Sequence, residues 1–519
     1  MNERLAHLRD GGLVAAAAIA SHLFALRNGF VWLDHGDLEA GAALAPPAAW
    51  LDLFARGYAR TGFYRPLTAL TLSLDSLWGS PVAYHATSLA LHALCAVAVV
   101  AAARSLGAAR SGAVAAGLLF AVHPVTSLVA NQIVYRGDSL ATAALLGVVW
   151  AHRTRRPLLA GVAMLAGGLS KETALVLGPL VIATLEWTQR TVKGRWALWL
   201  SEGAALAAAL ALRWAFAPAW RAFSPPLSPG DAVGTRLAAL WKSALALAAP
   251  VDFRFCDAFP ITGLATTPAL LGLAVALGLL GVGCWKRGPA LLFALALLPS
   301  LQLVPAPRFW SPHSLYLPLA FGAMVLGRVV ERHRRPAFAL LAVALAALGG
   351  ASLVESRRYR SDEALFAPEL AGRPECREAA LYVGDARRSA GDLAGAAKAY
   401  EAAAAKTPGI LSYSDEAAAL QNLGLVRLAQ NRPVEAELAF VEALERRPPE
   451  ASRRELVHNL AAVAVTRGDP DGAIRLLTPE VARADVAHET VLLLARALRA
   501  TGRNEASSAL LAAHPFRKP

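Results

Sequence analysis

Apolar runs of membrane length recur along residues 1–355 and are missing beyond them. The first is Gly11–Leu26, and later ones fall at about 82–103, 112–127, 139–150, 157–169, 173–187, 196–212, 268–284, 289–304, 313–328 and 337–354. Each predicts a helix, eleven in all. Several are shorter than the roughly 20 residues a straight membrane span needs, so their ends must extend into the adjoining loops. Leu237–Ala249 is apolar as well, but it is short and contains Lys242, so it predicts an interfacial or re-entrant helix. After Glu355 the pattern changes to Ala-rich amphipathic helices.

The polar stretch that stands out is Asn28–Pro81, between the first two apolar runs. A connector of that length is rarely only a connector. It holds an acidic cluster (Asp34, Asp37, Glu39), three arginines (Arg56, Arg60, Arg65) and the rings of Phe30, Trp32, Tyr58, Phe63 and Tyr64. An acid for proton abstraction, arginine for phosphate and rings for a sugar or lipid are all present.

Composition adds sidedness. Of the 519 residues 56% are hydrophobic and only 17% charged, which is membrane-protein composition. Through Glu355 the chain has 28 Lys+Arg against 16 Asp+Glu; subtracting from the totals of 51 and 38 leaves 23 against 22 beyond it. Nearly all of the +13 net charge is therefore in the apolar part, which excludes a basic nucleic-acid face on the remainder. If odd-numbered spans exit the cytoplasm, the inner connections carry Arg104, Arg110, Arg153, Arg155, Arg156, Arg190, Lys193, Arg195, Lys286, Arg287, Arg328, Arg332, Arg334 and Arg335. The positive-inside rule supports that register. It puts the amino end in the cytoplasm, and the first loop and the carboxy-terminal part outside it.

That carboxy-terminal part contains a repeat. Gly384, Ala396, Tyr400, Ala403 and Pro408 recur as Gly424, Ala436, Phe440, Ala443 and Pro448 with the same offsets. Weaker copies begin at Ala461 and Leu494. This is the tetratricopeptide (TPR) pattern of stacked helix pairs, whose concave face takes extended peptide or another protein. The organisation expected is thus a membrane domain over 1–355 with its first loop at 28–81, a linker over 356–373, and about four repeats over 374–519.

Several motifs together resemble the bacterial relatives of transmembrane-and-TPR-containing protein O-mannosyltransferases, within the GT-C glycosyltransferase fold. They are Gly29-Phe-Val-Trp-Leu-Asp, Tyr64-Arg-Pro-Leu with Tyr84-His and Leu91-His, His123-Pro-Val with Tyr135-Arg-Gly-Asp-Ser-Leu, Leu169-Ser-Lys-Glu-Thr and Ser314-Leu-Tyr-Leu-Pro. The resemblance implies an all-α membrane bundle followed by a TPR solenoid, set in a bacterial inner membrane with the repeats extracytoplasmic. It implies an enzyme that moves a sugar from a polyprenyl-phosphate carrier to an acceptor, with a first-loop acid as base, and Asp34 is the residue that carries over. The chain departs from the family's acids at Leu33, at Leu128 and at Pro312-His313. Those departures motivate an alternative, an inactive relative that anchors a protein-interaction scaffold.

The residues can also be read for themselves. Asp34 lies a few residues after the first span, where a lipid-linked phosphate would sit, and Asp37 is a second candidate base. Arg136 is expected to hold the phosphate, with Asp138 fixing its orientation. Lys171 and Glu172 share another short outer turn, and an i, i+1 pair does not face itself on a helix, which leaves both open to other partners. Arg65 can close over the phosphate from the loop's far end. His85, His92 and His123 lack metal spacing, as do the four cysteines, so a divalent metal is not supported. A transporter would show repeated spans and broken midplane helices, which this chain does not.

Overall fold

Proline and serine set many of the helix starts. α1 is Asn2–Ser21, and the next helices, α2 (Pro66–Ser76) and α3 (Pro81–Ser105), both open on proline, whose missing N–H falls where no intrahelical partner exists. Ser80 caps α3 by accepting from the Val82 N–H at 3.3 Å. The computed structural model describes residues 2–59, 62–188, 195–217, 227–250, 254–256, 258–285, 288–303, 308–483 and 485–515. Arg60, Arg190, Lys193, Lys286 and Arg287 lie outside the described residues, and the side chains of Arg334 and Arg335 are not described. The chain is helical almost throughout and divides into two units, Met1–Leu365 and Phe366–Pro519.

The first unit continues with α4 (Arg110–Val122), α5 (Ser127–Asn131), α6 (Arg136–Arg153), α7 (Pro157–Ser170), α8 (Glu172–Trp187), α9 (Trp196–Phe216), α10 (Pro229–Ala248), α11 (Thr267–Trp285), α12 (Pro289–Ala296) and the helical stretch α13 (Tyr316–Ser356). Their contacts define two ends. At the first end Asp10 pairs with Arg110 at 2.7 Å, the Arg153 side chain donates to the Ser105 carbonyl, and Glu331 accepts from the Ala109 N–H. At the second end Ser21 donates to the Ala121 carbonyl, Asn28 to the Ser356 carbonyl, and Thr68 to the Ser170 carbonyl.

α13 itself reverses. The Tyr316 ring lies 5.0 Å from Phe120 at the second end of α4, Glu331 reaches the first end, and Ser352 donates to the Val122 carbonyl back at the second end. A straight helix over those 36 residues would span about 54 Å, so the two halves run in opposite directions. They cross α4 at very close range. A Cβ on Gly327 would lie 2.2 Å from the Gly112 carbonyl oxygen, so only glycine fits there.

Among the described residues three helices have the length and hydropathy for a membrane crossing: Pro81–Ser105, Pro312–His333 and Phe338–Arg360. A fourth counts if α4 is joined to Pro124–Asn131 across a 54° bend. That bend falls at His123-Pro124, where proline removes a helical N–H. The chain is an integral membrane protein. The other apolar segments form helices too, but α7 and α8 have only 14 and 16 residues and α9 carries Glu202 and Arg213. Leu237–Ala248 falls within the longer α10, of 20 residues, and Ala249 is its C-cap. Its partners are second-end loops: the Trp310 indole donates to Ser243, the His123 ring to the Leu247 carbonyl, and Arg236 to the Gln302 carbonyl.

The unit boundary falls within α14 (Asp362–Gly372), and the second unit continues with α15 (Arg377–Ser389), α16 (Leu393–Ala404), α17 (Glu416–Ala429), α18 (Pro433–Glu445), α19 (Glu450–Thr466), α20 (Pro470–Val481), α21 (His488–Ala500) and α22 (Asn504–Ala513). From α15 onward each packs on the next in chain order. Ala396, Tyr400 and Ala403 are fully buried, and so are Ala436, Phe440 and Ala443. Gly384 lies against the Tyr400 ring as Gly424 lies against Phe440; a Cβ at Gly424 would come within 2.4 Å of that ring. Gly424→Ala should therefore overpack the α17–α18 contact and cost roughly 1–3 kcal/mol. A denaturation midpoint equal to wild type would show that the two helices are not held at this distance.

Candidate functional site

The first loop is packed down as an ordered cap on the second end of the bundle. Leu38, Ala43, Leu53, Tyr58 and Leu72 form one buried cluster with Ile133, from the turn between α5 and α6. Burying these apolar side chains, rather than any single hydrogen bond, holds the loop in place. The acidic segment starts at Trp32, held at φ 56°, and runs through a single turn over His35–Glu39.

Asp34 is fully buried, and its carboxylate accepts from the Val134 N–H at 3.2 Å and from the Val31 N–H at 3.5 Å. Burial pushes its carboxyl well above the usual carboxylate range, with the two backbone donors opposing. Asp37 is only partly covered and accepts from the Tyr58 hydroxyl at 2.9 Å. Its carboxyl too is raised by burial, against the Tyr58 hydrogen bond and the Arg65 charge.

Arg65 stacks over the Phe63 ring at 4.0 Å and pairs with Glu172 at 2.9 Å. Glu172 also meets Arg213 at 3.3 Å and accepts from the Tyr64 N–H at 3.0 Å. Lys171 pairs with Asp138 at 2.5 Å, and both are within electrostatic range of Arg65. Tyr135 stacks on His313 with ring centres 4.6 Å apart and lies 5.8 Å from Trp32, over which Arg308 sits at 4.9 Å. Asp37, Tyr58, Arg65, Glu172, Lys171 and Asp138 thus form one belt across the second end.

Arg136 does not join that belt. Its guanidinium is fully buried, pairs with Asp75 at 2.6 Å and donates to the Thr71 and Tyr84 carbonyls. The expectation that Asp138 orients Arg136 is corrected: two residues apart on one helix, they point to different sides, and Asp138 holds Lys171 instead. The expectation that Arg136 and Asp34 converge on one ligand is corrected as well. Both lie at the same end, but Asp34 turns to the Val134 N–H and Arg136 to Asp75, each buried against the protein. Lys171 and Glu172 avoid each other as expected, yet neither is open, since each has an ion-pair partner.

Sequence reasoning missed Asp75, Arg213 and Asp362. The first had a signal, a lone acid in the apolar run Leu70–Trp78, which calls for a cationic partner. Asp362 had none. It accepts from the Trp32 N–H at 2.7 Å and meets His35 at 2.7 Å, and His35 also contacts Glu39. The Asp362 hydrogen bond, with Glu39 adding, raises the His35 ring to about 9. Because this value lies above the unfolded one, the His35 contribution to stability is complete below about pH 6.5 and disappears as the pH rises through about 9. Thermal melts should lose stability over that interval in wild type, and His35→Gln should flatten the loss.

The chain matches no protein-family model. Over 194 residues it is 29% identical to "Protein O-mannosyl-transferase Tmtc1" of Drosophila melanogaster, covering 34% of this chain and 23% of that protein. Over 156 residues it is 30% identical to "Protein O-mannosyl-transferase TMTC3" of Mus musculus, covering 28% of this chain and 17% of that one. The chain resembles the Tmtc-type O-mannosyl-transferases. The matched part is less than a quarter of the length of these relatives. Among solved structures, the crystal structure of the Archaeoglobus fulgidus oligosaccharyltransferase aligns with a TM-score of 0.40 at 14% identity, over 78% of this chain and 60% of that one.

The positions where this chain departs from the Tmtc-like motifs have distinct settings. Leu128 is fully buried, Leu33 is half-buried, and His313 stacks on Tyr135. Lys171, Arg308 and Arg65 are all within electrostatic range of His313, so a ring occupies a cation-rich place. Among the described residues no group of three His, Cys, Asp or Glu side chains is placed to hold a metal ion.

Proposed function

We propose that this protein is a membrane glycosyltransferase that moves a sugar from a polyprenyl-phosphate donor to a protein hydroxyl. The observation that carries this reading is the belt at the second end, where a partly exposed acid, Asp37, lies within electrostatic range of Arg65, and Arg65 lies within range of Lys171. The likeness to O-mannosyl-transferases supports it. Asp37 takes the proton of the acceptor hydroxyl, and the oxygen attacks the anomeric carbon. The bond from that carbon to the phosphate oxygen breaks, and the polyprenyl phosphate leaves with the electron pair. Arg65 and Lys171 meet its charge by exchanging part of their hold on Glu172 and Asp138. Asp34 is a positioning residue that ties the turn before α6 to the loop. No metal takes part in this scheme.

On this reading the bundle has eleven helical passages, the second end faces away from the cytoplasm of a bacterial inner membrane, and residues 374–519 are tetratricopeptide repeats. The concave face of those repeats presents the acceptor protein. A second reading, an inactive anchor for a repeat scaffold, is favoured by one fact: Arg65, Arg136, Asp138, Lys171 and Glu172 all have ion-pair partners already. Incubating the purified protein with polyprenyl-phosphate sugars and a membrane-protein extract, followed by glycan analysis, decides between them. Transfer supports the enzyme. Protein capture with no transfer from any donor supports the scaffold.

A further inference from the structure

The C-terminal end of α3 gathers three arginines from three helices. Arg104 donates to the Ala108 carbonyl at 2.7 Å, Arg153 to the Ser105 carbonyl at 3.2 Å and Arg328 to the Leu106 carbonyl at 2.6 Å. A helix C-terminus leaves carbonyls to be satisfied, so one cation there is ordinary capping. Three converge within four residues of chain, and among the described residues none of them meets a carboxylate. The nearby acids are engaged elsewhere: Asp10 holds Arg110 through both oxygens, and Glu331 accepts from the Ala109 N–H. Arg195, across from Arg153, is taken by Glu186. Each of the three guanidinium groups therefore spends one nitrogen on a carbonyl and keeps others for a further acceptor.

The position narrows the ligand class. α3 is one of the helices that meets the requirements of a membrane crossing, and its end lies at the first end of the bundle, away from the belt. Leu326 and Val329, two residues before and one after Arg328 on α13, are exposed, so apolar surface lies on the same turn as that arginine. We propose that Arg104, Arg153 and Arg328 bind the phosphodiester of an anionic phospholipid, with its acyl chains along Leu326 and Val329. A singly charged diester accepts N–H groups from several guanidinium ions at once and relieves their mutual repulsion. Free phosphate would satisfy the charges and leave the apolar flank bare. This inference is independent of the transfer reaction.

Native mass spectrometry of the full-length protein, delipidated in detergent, tests it with phosphatidylglycerol, phosphatidylcholine and inorganic phosphate as probes. Phosphatidylglycerol should bind at least tenfold more tightly than phosphatidylcholine, and the R104Q/R153Q/R328Q protein should lose that preference. Equal binding of the two lipids overturns the proposal, and so does displacement of the lipid by inorganic phosphate at equal concentration. If the triple variant does not fold, Arg104→Gln alone decides. Its side chain is exposed, so the melting temperature should hold while the preference falls at least threefold, and an unchanged preference overturns the site.

Discussion

Asp37→Asn should lower the rate of glycosyl transfer by about 100- to 10,000-fold while leaving the protein folded. The size and shape of the side chain are kept, and the Tyr58 hydroxyl still has an amide oxygen to donate to. What is lost is a group able to take a proton. Asp37 is partly exposed at the second end and lies beside Arg65, so the change should leave the bundle's stability within a few tenths of a kcal/mol. The matching change Asp34→Asn should behave in the opposite way. Asp34 is fully buried and accepts from two backbone N–H groups, so an amide in its place turns an NH₂ toward one of those donors. It should destabilise the loop and lower the rate only in proportion to the folded fraction. Transfer assays paired with melting curves separate the two. Full activity of Asp37→Asn with complete loss in folded Asp34→Asn would hand the base role to Asp34. The pH profile adds a check: because burial raises the Asp37 carboxyl, the acid limb of the rate should lie above the ordinary carboxylate range and vanish in the variant.

The largest effect on stability should come from Asp75→Ala. Arg136 is completely buried, and Asp75 is the carboxylate that meets it, at 2.6 Å. Removing one partner of a buried pair leaves an uncompensated charge and costs roughly 3–5 kcal/mol, a large share of the stability of an ordinary domain. Arg136→Ala should cost about as much, with Asp75 left as the bare charge. The double change Asp75→Ala/Arg136→Met removes both charges and should recover much of the loss. An open phosphate clamp would behave differently, with Arg136→Ala weakening donor binding and barely changing the melt. A double variant no more stable than either single one would show that the pair is not an isolated couple.

The sequence by itself determined the elements. Apolar runs placed the helices of the first unit to within a few residues, because an apolar run buried by its neighbours leaves a helix little freedom. Among the described residues, though, only three or four of them have the length and hydropathy of a membrane crossing. The bend after α4, at Pro124, falls inside the run 112–127 that the sequence reads as one span. The offsets from Gly384 and Gly424 picked out Tyr400 and Phe440 as the rings that lie on those glycines, because a small residue and a large one must meet wherever two helices cross closely. The charged residues of the second end were also legible as a group, since charge in a membrane chain collects where water or a partner is available.

Tertiary structure decided who pairs with whom. Charges attract through space with no memory of sequence separation, so nothing along the chain joined Arg136 to Asp75, Lys171 to Asp138 or Arg65 to Glu172. The same holds for burial. Asp34 and Asp37 are three residues apart in one polar loop, yet packing against Ile133 and Val134 seals the first and leaves the second partly open. It also decided that three arginines from α3, α6 and α13 share one helix end, because α3 and α6 finish at the first end of the bundle and α13 reaches that end before it reverses.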